Sequence, residues 1–303
     1  MNDIKVQVHD ASENLIGDLK DFYHSYYSDD NRVFINGYLE WFLLKNPVSI
    51  GKCVIVTLED KIIGNMFLIP LNVQHKGATK VGFFAADVLT HPEHRDKSLF
   101  IKMIRKTIEE VKEKEQFLIG HPNDAATPGW KRTRMKFGQP YKSYLSKSTL
   151  ISSGVKHTEI KSKDDLFKYE DEINYLSNTT NLTVKTDCHF IFWKYMSNPS
   201  KAYKVEAVSY NGSLIGLIVS YKFKGIFDRV VHYLADEGFE SKVLRSTLLP
   251  KIFSFPESSS MDVYKSFCYQ RTVGTEVRFF FTDYTEDFKD LDPSYITFAS
   301  CDN

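Results

Sequence analysis

The sequence predicts an α/β chain of the α+β kind, with two similar domains in tandem, each a mixed, mostly antiparallel sheet flanked by helices. Three observations carry this. The chain repeats itself: Trp41 opens WFLLKNP and Trp193 opens WKYMSNP, both W-x4-N-P. The offset of 152 residues then continues without a gap, so that Val56 falls on Val208, Ile63 on Ile215 and Gly64 on Gly216. In each half the motif precedes two apolar runs around a polar turn, CVIVTLEDKIIGNMFLIPL and VEAVSYNGSLIGLIVSYKF. These read as hairpins, turning at Glu59–Asp60 and at Asn211–Gly212. Finally, 303 residues suffice for two average domains. The polar, Ser/Lys-rich stretch at 146–165 offers a joint between them. A duplicated helix-plus-hairpin unit explains one offset that fits a motif, a hairpin and a glycine. The expected domains are residues 1–150 and 151–303.

The elements follow from periodicity. Residues 12–28 carry Leu15, Leu19 and Phe22 at helical spacing, and residues 36–45 make a second short helix stopped by Pro47. Residues 53–59 and 62–73 form the hairpin, and 80–90 (KVGFFAADVLT) a third strand. Residues 98–114 place Phe100, Ile104, Ile108 and Val111 on one face, with Lys and Glu opposite, as in a surface helix packed on a sheet. QFLIG (116–120) is a buried strand, 125–136 a helix, and GQPYKSYLSKSTL returns as a strand. The predicted order is ααβββαβαβ. The second half has helices near 164–177 and 188–197, a hairpin, and DRVVHYLAD as a strand. A helix then follows at once, with no counterpart of THPEHRDKS.

Composition narrows the function classes. Lys+Arg and Asp+Glu both number 39, so a polyanionic partner such as nucleic acid has no global support. The 23 Phe and 17 Tyr suit thick cores. No basic patch with an apolar h-region opens the chain, and the run IIGNMFLIPL is too short to span a bilayer. The four cysteines are scattered without a CxxC pair, which points to neither a metal site nor a disulfide framework and leaves a reduced, cytoplasmic setting as the expectation.

Between the third strand and its helix stands HPEHRDKSLF, residues 91–100. A strand-loop-helix junction presents backbone N–H groups without intrahelical partners, and with the helix dipole it suits a pyrophosphate. Arg95 and Lys97 add charge, and the Ser98 hydroxyl adds a donor. The plain alternative is a charged loop that only caps a helix. The stretch has no glycine. Because a helix N-terminus ordinarily needs no positive φ, Ser98 is expected to be tolerated, and Phe100 to point into the core as first member of the 100/104/108/111 stripe.

This order of elements, with VLTHPEHRDKSLF between strand and helix, resembles the GNAT superfamily of acyl-CoA-dependent N-acyltransferases. The phosphate-loop signature finds counterparts at Leu89, Arg95, Ser98 and Phe100, the last two standing where the family has glycines. FLIGHPN, ending at Asn123, and Lys136-Phe137-Gly138 match later family features. W-x4-N-P before a hairpin looks like one subgroup, tandem proteins found with bacterial surface-polysaccharide and O-antigen enzymes, which acylate nucleotide-linked amino sugars. The resemblance implies a first-half domain that binds acetyl- or hydroxyacyl-CoA through Leu89, Thr90, Arg95, Asp96, Lys97, Ser98, Leu99, Phe100 and Asn123. It also implies an oxyanion-binding N–H near Leu89, direct attack by the amine, no metal, and a degenerate second domain that walls the acceptor pocket with Trp193 or only completes the core.

The departures concern acid and base. Arg134 stands where many relatives carry a Tyr, and Phe83 and Phe84 stand near the usual Glu. His121, at the end of the fifth strand, titrates near neutrality and is the candidate base; the plain alternative is a turn residue before Pro122. Asp87, on the fourth strand, is the candidate to orient water or the amine, with a structural role as its alternative. His91 and His94 are expected to face solvent. Two other functions stay open: an aminoacyl transferase of the peptidoglycan-branching kind, and a non-catalytic CoA-binding module.

Overall fold

The computed structural model describes residues 4–75, 78–133, 135–138, 141–146, 153–179, 184–245, 251–256, 268–272 and 280–282. The first half holds β1 (Ile4–Asp10), α1 (Glu13–His24), a 3-10 turn (Arg32–Phe34), α2 (Tyr38–Leu43), β2 (Lys52–Leu58), β3 (Lys61–His75) and β4 (Ala78–Thr90). A second 3-10 turn (Pro92–Lys97) leads to α3 (Leu99–Glu113), β5 (Phe117–Gly120), α4 (Thr127–Arg132), β6 (Lys136–Phe137) and β7 (Tyr141–Ser146). The second half holds β8 (Val155–Ile160), α5 (Lys163–Phe167), α6 (Glu170–Thr179), α7 (Cys188–Ile191) with a π-helical turn (Phe192–Met196), β9 (Lys204–Tyr210), β10 (Ser213–Phe223), β11 (Phe227–Ala235), α8 (Glu240–Arg245), β12 (Lys251–Pro256), β13 (Cys268–Thr272) and β14 (Phe280–Thr282).

The expected elements lacked β1, β6, β8 and β12 to β14; β1 and β8 are edge strands whose alternation is half polar and easily taken for loop. Two compact units result. The first holds the described residues up to Phe137, Asn198–Ser200 and β14; the second holds the others from Gly138 onward. The first sheet runs β1-β2-β3-β4-β5-β14-β6 and the second β13-β7-β12-β11-β10-β9-β8. The expected boundary at residue 150 therefore differs from the observed one. β7 pairs with β12, and the matching place in the first sheet, beside β5, is taken by β14. Alternation along a strand marks its faces, but not which sheet edge will hydrogen-bond it.

The repeat extends to backbone detail. Glu59 and Asp60 (φ 51 and 60) and Asn211 and Gly212 (φ 50 and 92) make left-handed two-residue turns, the geometry that follows strand twist. In the first hairpin Val56 faces Gly64 and Thr57 faces Ile62, so Ile63 bulges out. Ile215 bulges in the same way in the second. Each glycine lies under a carbonyl of the next strand: a Cβ on Gly64 would sit 3.3 Å from Leu89 O, and one on Gly216 2.6 Å from Leu234 O. In the W-x4-N-P motif, Asn46 Oδ1 accepts the Val48 N–H at 2.8 Å and Asn198 Oδ1 accepts the Ser200 N–H at 2.9 Å. These side-chain turns redirect the chain after the helix. Trp41 and Trp193 are buried. Trp193, with Phe190 edge-on to it, is core rather than an aromatic wall for an acceptor.

α3 packs on one face of the first sheet. Its buried stripe is Leu99, Met103, Ile104, Thr107 and Val111, with Phe100 and Ile108 at its margin, so the predicted stripe was turned by about one residue. α1 and α2 cover the other face through Tyr23, Tyr38, Phe42 and Phe67, whose rings meet edge-on or stacked. In the second unit Glu206 and His157 take the register places of Val54 and Val6. Burial opposes the Glu206 charge, but His157, Lys251 and Lys204 hold its carboxyl well below the usual range.

Candidate functional site

The site is built around an irregularity in β4. β3 and β4 pair with Asn65 opposite Leu89 and Phe67 opposite Ala86, so Asp87 and Val88 together face Met66. This is a β-bulge, which bends its strand and re-aims side chains. Asp87 takes a left-handed conformation (φ 44), one that Asp and Asn tolerate better than most residues. On its other edge β4 runs parallel to β5 only from Gly82 to Ala85. Beyond that point β5 ends at Gly120, and residues 86–90 of β4 have no paired strand on that edge among the described residues. The two strands thus part where the bulge begins, leaving a backbone edge able to bind an extended ligand.

A cavity of about 500 Å3 adjoins the bulge, lined by Tyr23, Tyr27, Asp30, Asn31, Arg32, Val33 and Asp87. The 3-10 turn after α1 starts at Asn31, whose side chain caps the Val33 N–H at 3.2 Å and so sets Arg32 toward the sheet. The Arg32 guanidinium donates to Asp87 Oδ1 in a short ion pair. Burial works against the Arg32 charge, yet Asp87 outweighs it and raises the Arg32 pKa. Asp87 Oδ2 is buried and has no partner among the described residues. Burial, with help from Asp87, pushes the Tyr23 phenol well up and raises Tyr27, so both stay protonated at neutral pH. The cavity wall thus sets a carboxylate, its Oδ2 buried and unpartnered among the described residues, beside a guanidinium and protonated phenols. An ammonium-bearing acceptor suits that set.

At the end of β4, Leu89 is buried and Thr90 half-buried. The His91 N–H donates to Ile63 O at 2.8 Å, and Asp236 N donates to Ile215 O at 2.9 Å in the second unit. The expected open loop is a 3-10 turn. His91 starts it by accepting the Glu93 N–H at 3.4 Å, and both His91 and His94 are half-buried rather than solvent-facing. Ser98 then adopts φ 54 and ψ 33, a left-handed residue between the turn and α3. The expectation of ordinary φ is thus corrected: the position is one whose backbone favours glycine and here holds serine. A right-handed turn followed by one left-handed residue directs successive N–H groups into a concave anion nest. The first N–H groups of α3, those of Leu99, Phe100 and Ile101, continue it, since a helix's opening N–H groups have no intrahelical partner. These groups fit a pyrophosphate. Arg95 is exposed and turned onto Tyr26, donating to its hydroxyl at 3.1 Å with the guanidinium over the ring. The side chains of Asp96 and Lys97 lie outside the described residues. Phe100 packs against the core, edge-on to Trp130 at 6.0 Å and over Gly129, and leaves the nest clear.

His121 follows β5 and is half-buried, and burial pulls its pKa below the ordinary value. Asn123 is exposed, and its Oδ1 accepts the Ala126 N–H at 2.9 Å while its carbonyl accepts from Thr127. That makes it the turn-former ahead of α4. Arg134 lies outside the described residues. The structure brings Asp87, Leu89 and Thr90 together on β4 and aligns Arg95 to Phe100 along the turn and α3. The sequence reading missed Arg32, Tyr23, Tyr27 and Asn65. One signal was present for Asn65: the 152-residue offset sets it opposite Leu217, a polar residue against an apolar copy.

In the second unit, register from Thr90 and Ala235 sets His232 in the place of Asp87. His232 is buried beneath Tyr195, with no hydrogen bond to either ring nitrogen among the described residues, and burial pushes its pKa down to about 3. Among the described residues no His/Cys/Asp/Glu group could hold a metal ion, and no helix is long and apolar enough to cross a membrane.

Residues 8–131 match the family model of the acetyltransferase (GNAT) domain. No curated protein matches the chain. Among solved structures, a probable N-acyltransferase from Enterococcus faecalis V583 aligns at TM-score 0.65 and 10% identity, covering 91% of this chain and 72% of that one. A GCN5-related N-acetyltransferase from Anabaena variabilis ATCC 29413 aligns at TM-score 0.65 and 13% identity, covering 93% and 73%. A tandem GNAT protein from the clavulanic acid biosynthesis pathway aligns at TM-score 0.57 and 9% identity, covering 93% and 99%. The fold is that of tandem GNAT proteins, and the stretch that resembles the GNAT acetyltransferase domain lies within the first unit.

Proposed function

We propose that the first unit is an acyl-CoA-dependent N-acyltransferase whose acceptor is the amino group of a nucleotide-linked amino sugar, with acetyl or hydroxyacyl donors. The observation that carries it is the bulged, unpaired edge of β4 opening beside a cavity lined by Asp87, within the stretch that matches the GNAT domain model.

The chemistry follows from that placement. The nest at Ser98 and the first N–H groups of α3 hold the donor's pyrophosphate, and the open edge of β4 takes its amide-bearing arm. A backbone N–H near Leu89 donates to the thioester oxygen and stabilises the tetrahedral oxyanion. Asp87 Oδ2 accepts a hydrogen bond from the acceptor's amine and aims its lone pair at the carbonyl carbon. The C–N bond forms as the amine proton leaves toward Asp87 or, through water, toward His121. Collapse of the intermediate breaks the C–S bond and returns a proton to the thiolate. The cavity is of a size for one sugar ring, and its protonated tyrosines and charged pair supply the mixed aromatic and polar surface that sugars use. The second unit, with His232 buried where Asp87 stands in the first, completes the fold rather than a second catalytic site.

The test is thiol release from acetyl- and hydroxyacyl-CoA against a panel of nucleotide-linked amino sugars, amino acids and simple amines. Turnover with the sugars supports the whole reading, and turnover with other amines only replaces the acceptor. No turnover, with no rise in melting temperature on adding CoA, overturns it. His121 has a test of its own. If it is the base, the acid limb of kcat falls below about pH 6.5, because burial lowers its pKa, and His121→Asn removes the limb.

A further inference from the structure

We propose that Asn65 and Tyr23 form a clamp that holds the β4 bulge open and so position Asp87 and the oxyanion-binding backbone. This deepens the acyltransferase reading and rests on it. Asn65 is fully buried on β3, a central strand with apolar neighbours. Its Nδ2 donates to the Tyr23 hydroxyl at 2.8 Å and to the Asp87 carbonyl at 3.2 Å. The second bond settles which way the amide lies, because the opposite orientation would set two oxygens against each other. A single side chain thus binds the bulged residue's backbone on one side and an α1 residue on the other. Tyr23 is itself fixed, edge-on to Phe67 at 6.3 Å and tilted against Tyr27 at 5.8 Å.

The arrangement is costly for stability alone. Asn65 Oδ1 is buried with no partner among the described residues, and Asp87 is held left-handed. A buried, half-satisfied amide is worse for folding than an apolar residue of similar size. Polar groups that persist under those terms mark function more often than packing. The second unit serves as an internal control. There the residue at the Asn65 position is Leu217, which pairs in plain register with Leu234. The β10–β11 irregularity lies elsewhere, between the Val219–His232 and Ser220–Val230 pairs. His232, in the place of Asp87, is not among the left-handed residues. Where the clamp is missing, so are the bulge at that position and the turned carboxylate.

The experiment compares wild type with Asn65→Leu, Tyr23→Phe and the double variant in the full chain. Hydrogen exchange of peptides covering β4 reads the bulge without requiring turnover, and steady-state kinetics with acetyl-CoA read its use. Asn65→Leu is expected to melt no lower than wild type and to slow exchange at residues 86–90 as the bulge closes into a regular ladder. Its kcat falls about tenfold or more, while the acetyl-CoA KM stays within about threefold. Tyr23→Phe shows a smaller effect in the same direction, and the double variant is no worse than Asn65→Leu, since both act through one element. Unchanged β4 exchange and unchanged kcat in Asn65→Leu overturn the clamp. Tyr23→Phe, which removes only a hydroxyl, carries the test if the leucine variant does not fold. A wild type without turnover overturns the acyltransferase reading, while the exchange arm still decides the clamp.

Discussion

Replacing Ser98 by glycine tests the strand-to-helix junction most sharply. Its backbone is left-handed at φ 54 and ψ 33, a conformation that costs an L-residue roughly 1–2 kcal/mol. Glycine removes that cost and loses about 0.5–1 kcal/mol through its greater freedom in the unfolded chain. The serine side chain is exposed and makes no capping bond to α3, so nothing else is given up. The net is a stabilisation of about 0.5–1 kcal/mol, or an increase of about 1–3 °C in the melting temperature of a unit this size. Ser98→Ala keeps the Cβ and stays within about 0.5 kcal/mol of wild type. Ser98→Val, branched at Cβ, loses about 1 kcal/mol or more. Calorimetric melts of the four proteins should rank Gly above Ser and Ala, and Val last. The backbone donors survive in the glycine variant, so its acetyl-CoA KM stays within about threefold of wild type. A glycine variant that melts below wild type, or a valine variant that equals it, refutes both the strain and the nest built on it.

Two further outcomes follow from packing and burial. A Cβ at Gly120 would overlap the Phe280 ring, which itself stacks on Trp130 at 3.9 Å. Gly120→Ala is therefore expected to cost about 1–3 kcal/mol in urea unfolding, and adding Phe280→Leu should recover part of it. His232 stays neutral in the fold because burial pushes its pKa down to about 3, whereas in the unfolded chain it protonates near pH 6.5. Its contribution is whole above about pH 6.5 and falls by about 1.4 kcal/mol per pH unit below it. His121, also depressed, adds a slope of the same sign in the first unit, while Glu206 loses its contribution only below its unfolded value of about 4.5. Unfolding free energies between pH 6.5 and 4.5 should flatten in His232→Leu, and an unchanged slope there would show that the histidine is not buried as neutral imidazole.

Much of the scaffold was legible because repetition and alternation are local signals. One offset placed Trp41, Asn46, Gly64 and their copies; the structure buries both tryptophans, gives both asparagines the same turn and brings both glycines under a carbonyl beside the same bulge. The anion junction was legible as a location but not as a conformation. Nothing in HPEHRDKSLF announces that Ser98 must turn left-handed; that follows from joining a 3-10 turn to α3. The cavity was less legible still. Arg32 and Asp87 stand 55 positions apart in the chain and meet only because α1 and the turn after it fold over the bulge. Asn65 stands inside an apolar run, and its one mark in the sequence is that the 152-residue offset sets it against Leu217.

The exchanged strands bear on why the second copy persists. Leu118 pairs with Thr282 across about 160 residues of chain, a loop closure of the kind that slows folding. During synthesis β5 lacks this neighbour until about 160 further residues have emerged. A deletion that shed the second half would also strip β5 of β14 and Trp130 of the Phe280 ring that stacks on it. Duplication followed by strand exchange thus acts as a ratchet. Once each sheet borrows a strand from the other half of the gene, the half without the anion loop can drift in its chemistry but cannot be discarded.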